Sequence, residues 1–418
     1  MFTNNSDSQK RIYNLVAAIA SGTFAEEKDF LTKMIIEIVD SQDFQIYGGR
    51  LWEFNPQKEV YTLAYQYGNV KKVPDDYELS VHDQTVLMEL AQTRTQLRRE
   101  TDLILKESGI LIYSVTGVGD IVRTKYGKFF EYVIGFNAPE ILQTFYETLA
   151  IISTISSARL KDLRLLKKQE KMNRELSKAS EIQRNLFPEH SVEFSDFDIY
   201  GLCISDSEVG GDYFDYFRNL EDEEDSLSIV VADAASKGIS AALQSLYVAG
   251  AVKMSHNFSP KISALLHNLN NLIYETFPME RFVTLFYCEL TESSNRLFMY
   301  GNAGHTEPLH YHASTDSFDL LTSTGGVLGI IPNQKFSVEN TTIGKGDIMV
   351  MMTDGVTEAQ NEKGEIYGEE PIKELVRKYQ TLPAKEIALN IIEKVQIYSA
   401  NSSYTDDKTL IVIKRKAD

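Results

Sequence analysis

The sequence predicts an α/β N-terminal module, a long helical linker and a larger α+β C-terminal domain. Three observations carry that prediction. Helix-like and strand-like patterns alternate over the first 137 residues. Residues 140–187 contain neither Gly nor Pro. Beyond about residue 195, short apolar strand runs dominate and helical stretches come in pairs. At 418 residues the chain also exceeds one typical core, which favours two or three domains.

The N-terminal module is expected over residues 1–150. In "EEKDFLTKMIIEIV" the apolar residues Phe30, Leu31, Met34, Ile35 and Ile38 recur at the spacing of one helix face. "FQIYGGRLWEF" and "VYTLAYQYG" alternate and are rich in aromatics, as paired strands are. "GILIYSVTGVGD" and "KFFEYVIGFN" predict two further strands. Together they make one sheet with flanking helices.

The linker is expected over residues 151–190. A continuous helix through 140–187 would span ~70 Å at ~1.5 Å per residue. A 4-3 seam runs through Ile151, Ile155, Ala158, Leu165, Met172, Leu176, Ala179 and Leu186, interrupted by Asp162, Gln169 and Gln183. That pattern suits a short parallel dimer or packing on a neighbouring domain. Nine basic and four acidic residues between Arg159 and Arg184 read as a solvated face. Pro188 ends the helix.

The C-terminal domain is expected over residues 191–418. Its strands are "FDIYGLCI", "DYFDYF", "LSIVVAD", "FVTLFYCEL", "RLFMYGNA", "DIMVMMTD" and "TLIVIK". Helices are expected near 238–256 and 260–276, with two more before the last strand. Runs of strands followed by paired helices predict layered sheets with helices outside. The acidic run "NLEDEEDS" (219–226) reads as a solvated hairpin loop.

Composition narrows the function. A net charge of -18 argues against a nucleic-acid binder, which needs a basic footprint. Two cysteines, Cys203 and Cys288, cannot make a disulfide framework and suit a reducing cytoplasm. No signal peptide is expected from the opening "MFTNNSDSQKRIYNL", and no run of 18 apolar residues predicts a membrane span.

Four aspartates stand at ends of apolar strands: Asp212 in "VGGDYFDYF", Asp233 in "LSIVVAD", Asp354 in "DIMVMMTDG" and Asp406 before "DKTLIVIK". A single such Asp is commonly a turn former. Four that converged would repel one another strongly in a partly dry site. Divalent cations relieve that repulsion, and all-oxygen ligands suit magnesium or manganese. Two such ions would lower the pKa of a water and clamp a phosphate. Neither cysteine has an Arg six residues later, which sets aside a thiolate phosphatase loop. "VGGDYFDYF" also looks like a distorted Gly-Gly-Asp-Glu-Phe hairpin of cyclic-dinucleotide synthases, but no Gly-rich triphosphate loop accompanies it.

The motifs "EIQRNLFP", "VGGDYFDYF", "VVADAASKGISAAL", "FVTLFYCEL", "YGNAGHTEPLHY", "GGVLGI", "GDIMVMMTDGVTEAQNEKGEIYG" and "YTDDKTLIVI" occur in one order. In that order, residues 180–416 resemble the SpoIIE/RsbU-type serine phosphatases of the metal-dependent protein phosphatase 2C superfamily. The resemblance implies two antiparallel sheets sandwiched by helices, with two Mn2+ or Mg2+ ions at the rim. It implies that Asp212, Asp233, the Ala234 carbonyl, Asp354 and Asp406 hold them and carry catalysis through an activated water. Asp406 is preferred to Asp407 because the first Asp of Asp-x-x-Thr is the family's ligand. The implied substrate is a phosphorylated STAS-domain anti-anti-sigma-type protein.

The sequence departs from the family at "DAASKG", where Ser236 replaces a glycine. A positive φ there would strain it. A pseudophosphatase scaffold is therefore the alternative reading. His305 in "NAGHTEP" is read as structural. The N-terminal module looks like a GAF sensory domain, taking an unidentified small-molecule or protein signal. It holds no cysteine for a linked bilin, and its sole histidine, His82, reads as a surface residue. The linker helix would couple signal to catalysis and support a homodimer.

Overall fold

The structure is a computed structural model. It describes residues 13–14, 16–19, 21–41, 46–82, 85–99, 106–107, 112–138, 143–219, 225–258, 260–292 and 297–417. The chain divides between Met172 and Asn173 into two compact units.

In the first unit, helix α1 (Glu27–Asp40) buries the five residues its periodicity singled out: Phe30, Leu31, Met34, Ile35 and Ile38. The sheet comprises β1 (Gly48–Asn55), β2 (Val60–Gly68), β3 (Glu78–Ser80), β4 (Thr95–Arg99), β5 (Ile112–Thr124) and β6 (Gly127–Asn137), in the order β3-β2-β1-β6-β5-β4. Every pairing in it is antiparallel. Strand period two splits neighbours between its faces. Leu51, Ile134 and Phe136 pack with α1, while Trp52, Val133 and Phe129 pack with helix α2 (Thr85–Thr93). The short β3, β4 and α2 were not among the sequence expectations. The start of "GILIYSVTGVGD" lies outside the described residues.

Helix α3 (Gln143–Arg184) is 42 residues long. The expected start of the linker at 151 falls inside it. Its stripe Phe145, Leu149, Ile152, Leu160 and Leu163 belongs to the core of the first unit. The predicted seam is therefore not the face buried there. Ile151, Leu165 and Met172 are 41%, 56% and 55% exposed. The sheet claims one face of the helix; of the seam, Ile155 packs partly against the same core, while Ile151, Leu165 and Met172 stay exposed.

The second unit is a four-layer sandwich. One sheet has the order β15-β12-β11-β10-β9, built from β9 (Tyr213–Asn219), β10 (Ser226–Ala234), β11 (Val283–Thr291), β12 (Leu297–Ala303) and β15 (Glu339–Thr342). The other has the order β14-β13-β16-β17-β8-β7, built from β7 (Ser191–Phe194), β8 (Phe197–Ile204), β13 (Leu309–His312), β14 (Ser317–Leu320), β16 (Ile348–Met352) and β17 (Lys408–Arg415). Their inner faces meet through Ile199, Phe214, Val231, Phe286, Met349, Met351 and Ile411.

The outer faces are covered in turn. Val230, Ala232 and Leu285 pack under α4 (Ile239–His256) and α5 (Ile262–Thr276). Val350, Met352 and Val412 pack under α7 (Glu370–Tyr379) and α8 (Ala384–Ser399), which follow the short α6 (Asp354–Thr357). Burial on both faces explains why β10, β16 and β17 read as continuous apolar runs. The four-residue strands β7, β13, β14 and β15 are too short to announce themselves by pattern. Most of the run 219–226 lies outside the described residues, but β9 and β10 that flank it do pair, Asn219 opposite Ser226.

Candidate active site

The two sheets bring their carboxylate-bearing strand ends to one edge. Asp212 immediately precedes β9 and Asp233 lies near the end of β10. Their antiparallel register sets Ala232 opposite Tyr213, so the two carboxylates neighbour each other. In the second sheet Met352 pairs with Leu410, which brings Asp354, the first residue of α6, beside Asp406 and Asp407 ahead of β17.

Asp212 joins the sheets. It is 2% exposed. Its Oδ2 accepts hydrogen bonds from Thr353 Oγ1 at 2.8 Å, just past β16, and from Thr409 Oγ1 at 2.6 Å, in β17. Burial pushes its pKa well above the carboxylate range. The charge of Asp233 adds to that, while the two threonine hydroxyls oppose it. Asp233 is pushed up to about 7, first by burial and then by the charges of Asp354, Asp406 and Asp407. Asp354 is raised by burial, Asp406 and Glu358. All four predicted aspartates thus sit in one mutually repelling cluster.

Asp406 and Asp407 are used differently. Asp407 accepts the backbone N–H groups of Asp206 (2.8 Å), Gly211 (2.5 Å) and Asp212 (3.4 Å). It binds the Gly210-Gly211-Asp212 loop to β17. A side chain at Gly210 would come within 2.6 Å of the Asp407 carboxylate, and one at Gly355 would strike the Asp407 carbonyl. Those close approaches are what the two glycines permit. Asp406 faces outward, 3.1 Å from Lys237 Nζ, and accepts from Tyr404 Oη at 3.3 Å.

The loop is also held from the far end of α3. Gln183, 5% exposed, donates from Nε2 to the Gly210 carbonyl at 2.6 Å. It accepts the Gly210 N–H at 3.1 Å.

Ser236 is not among the residues with positive φ; Gly238 takes that conformation, at φ 63°. The strain expected from the Gly-to-Ser replacement is absent, because the left-handed residue lies two positions on. The Ala234 carbonyl accepts the Ser236 N–H at 2.6 Å. Its second lone pair is not used by that bond. His305 is buried, and burial pushes its pKa down to about 4. Its Nδ1 meets Thr284 Oγ1 at 2.9 Å, and its backbone N–H donates to Asn302 Oδ1 at 2.8 Å. These are the bonds of a loop anchor.

The family described as Stage II sporulation protein E (SpoIIE) matches residues 223–416. Over these residues the C-terminal unit is similar to SpoIIE-type phosphatases of the protein phosphatase 2C class. Phosphoserine phosphatase RsbU of Bacillus subtilis is 29% identical over 252 residues, covering 59% of this chain and 72% of RsbU. Protein IcfG of Synechocystis sp. is 29% identical over 269 residues, covering 58% of this chain and 41% of IcfG. The SiaA-PP2C domain of Pseudomonas aeruginosa has the same fold: TM-score 0.50, 18% identity, 59% of this chain and 98% of that domain. The homology supports a protein serine/threonine phosphatase.

Phosphatases of this class are metal-dependent, and the residues present fit a divalent ion. The donors are carboxylates and one carbonyl. Several are buried enough to raise one another's pKa, and the Lys237 cation faces them. Sequence reasoning missed Thr353, Thr409, Lys237 and the anchoring role of Asp407. Thr353 directly precedes Asp354, and Thr409 closes Asp-x-x-Thr, so adjacency to a predicted ligand was the available signal. Gln183 was noted only as a break in a heptad.

The crowding has a measurable consequence in metal-free protein. Unfolded, Asp233 titrates near ~4; folded, near about 7. Between those values the unfolded chain releases a proton that the folded chain keeps. Stability therefore falls as pH rises from ~4 to ~7, and the whole penalty persists above. At ~1.4 kcal/mol per unit, Asp233→Asn is expected to stabilise chelator-treated protein by on the order of 2–4 kcal/mol at pH 8. The two proteins should converge at pH 4. Denaturant unfolding across that range checks it, and equal stability at pH 8 would contradict it.

Proposed function

We propose that the chain is a signal-regulated, metal-dependent phosphatase that hydrolyses phosphoserine or phosphothreonine on a partner protein. The observation that carries this is the convergence of Asp212, Asp233, Asp354 and Asp406, from both sheets, into one repelling cluster at the sandwich edge. Asp212, Asp233, the Ala234 carbonyl, Asp354 and Asp406 would hold two Mn2+ or Mg2+ ions. Bound there, such ions supply Lewis acidity: they lower the pKa of water and neutralise phosphate charge. The protein's own part is positional. Thr353 and Thr409 fix the Asp212 carboxylate, and Asp407 and Gln183 fix its loop. Asp406 stays at the outer edge beside Lys237.

Phosphoserine is favoured because RsbU, the relative with 72% of its length matched, is a phosphoserine phosphatase. The substrate we infer is a small phosphorylated STAS-type protein of a partner-switching pathway. The scaffold alternative rested on strain at Ser236, and Ser236 lies outside the positive-φ region.

The N-terminal unit is read as a GAF-like sensory domain over about residues 1–150. Its six-stranded antiparallel sheet between helices supports that reading. Residues 151–190 are read as the linker and 191–418 as the phosphatase domain. The hydrogen bonds of Gln183 to Gly210 support a switch in which movement of α3 repositions Asp212. Among the described residues no helix is long and apolar enough to cross a membrane. The two free cysteines suit a cytoplasmic protein.

Phosphate release from a phosphoserine STAS-type protein, with and without Mn2+, tests the activity. Outer-shell changes around metals typically cost ~10–100-fold. Asp212→Asn and Asp354→Asn should therefore each lose on the order of 100-fold or more, and Gln183→Ala about 10-fold. Metal-independent release, or release unchanged in both aspartate variants, would contradict the assignment. A homodimer through the exposed Ile151, Leu165 and Met172 seam predicts that Leu165→Glu sediments as a monomer and the wild type as a dimer. A monomeric wild type removes the dimer from the account.

A further inference from the structure

A second cluster of metal-binding side chains lies in the phosphatase domain, at the other end of β16 from the aspartates. His310 and His312 are two apart on β13, so both project from one face of the sheet. Their ring centroids are 4.0 Å apart. Asp347 precedes β16, whose first residue Ile348 pairs with Tyr311. That register carries Asp347 to the two imidazoles. About 17 Å of extended chain in β16 then separates this cluster from Thr353 and Asp354.

His310 Nε2 stands 3.3 Å and His312 Nδ1 3.5 Å from the same oxygen, Asp347 Oδ2. These separations are long for hydrogen bonds, which centre near ~2.9–3.0 Å. They match the spacing of ligand atoms around a tetrahedral zinc ion: bonds of ~2.0–2.1 Å put such atoms roughly 3.3 Å apart. The three ligand atoms all lie within 4.8 Å of one another.

The surroundings are also those of a metal site. Asp347 is aimed by two backbone donors, Ala313 N–H at 2.9 Å to Oδ1 and Gly344 N–H at 2.8 Å to Oδ2. The second nitrogen of His312, Nε2, lies 2.9 Å from Asp319 Oδ2 on the neighbouring strand β14. A carboxylate on the far nitrogen is the usual orienting partner of a metal-ligating histidine, and it fixes Nδ1 as the free donor. His310 and Asp347 are 1% and 4% exposed. The His312 and Asp319 side chains are 25% and 72% exposed, which gives an ion its way in.

We propose that His310 Nε2, His312 Nδ1 and Asp347 Oδ2 bind a divalent transition ion, zinc in the first instance, with a fourth position left to water. Two imidazoles and one carboxylate select zinc-type ions over the magnesium or manganese suited to an all-oxygen donor set. The ion would tie the β13–β14 hairpin to the strand that leads into Thr353 and Asp354. The site does not depend on what the aspartate cluster does.

Cobalt(II) tests this, because four-coordinate, histidine-ligated cobalt absorbs strongly in the visible and six-coordinate, oxygen-ligated cobalt only weakly. Metal-stripped full-length protein titrated with Co2+ should develop the strong bands, and Zn2+ should bleach them. Asp354→Asn should retain them and His312→Gln should lose them. Asp319→Asn, at an exposed position, should weaken binding by ~10–100-fold. It carries the test should His312→Gln fail to fold by circular dichroism. Weak bands only in the wild type, strong bands that persist in folded His312→Gln, or an unchanged affinity in Asp319→Asn would each overturn the proposal.

Discussion

Five carboxylates share one edge of the phosphatase sandwich, and burial denies four of them, Asp212, Asp233, Asp354 and Asp407, the water that would let them ionise freely. Asp212 sits deepest, between the sheets, with its charge opposed by Asp233 and eased by two threonine hydroxyls. Asp233 is next, its pKa pushed up to about 7 by burial and then by the charges of three neighbouring acids. Such an arrangement is costly to fold without a counter-charge. It is sustained because the strands that present it are buried on both faces and have little freedom to move apart. A divalent cation bound among these carboxylates would remove that cost.

The same constraint explains the supporting residues. A cluster that repels itself needs its backbone tied down. Asp407 spends its carboxylate on three N–H groups, Gln183 brackets Gly210, and glycines 210 and 355 allow the loops to close to contact. Gln183 lies at the end of α3, so the loop carrying Asp212 is within reach of any change in that helix. The Gly210–Asp212 loop is thus held from α3 as well as from β17, while Asp233, Asp354 and Asp406 lie on or beside β10, β16 and β17.

Much of this was legible in the sequence, and for definable reasons. Aspartates ending apolar strands mark a sheet rim, so Asp212, Asp233, Asp354 and Asp406 stood out. Continuous apolar runs marked doubly buried strands, and the periodicity of α1 named its five buried residues. What stayed hidden depends on pairing across long sequence separations. That Thr409 meets Asp212, or that Gln183 meets Gly210, follows from sheet order, which local pattern does not encode. The heptad seam in α3 did not single out the stripe that the first unit buries, because a helix can carry two apolar stripes, and the one through Phe145, Leu149 and Ile152 is packed in that core. His310 and His312 passed unnoticed because β13 is four residues long and Asp347 lies 35 positions beyond His312.

Proton release on metal binding reads the central claim most directly. Carboxylates forced together should hold protons in metal-free protein and give them up when a cation arrives. The heat of Mn2+ binding to stripped protein, measured in buffers of differing ionisation enthalpy, counts those protons. The account predicts net release near about pH 6.5 that fades by about pH 9, with Asp233→Asn releasing less. Mn2+ binding with no proton release at either pH would contradict it, because the aspartates would then not be the mutually repelling cluster on which the account rests.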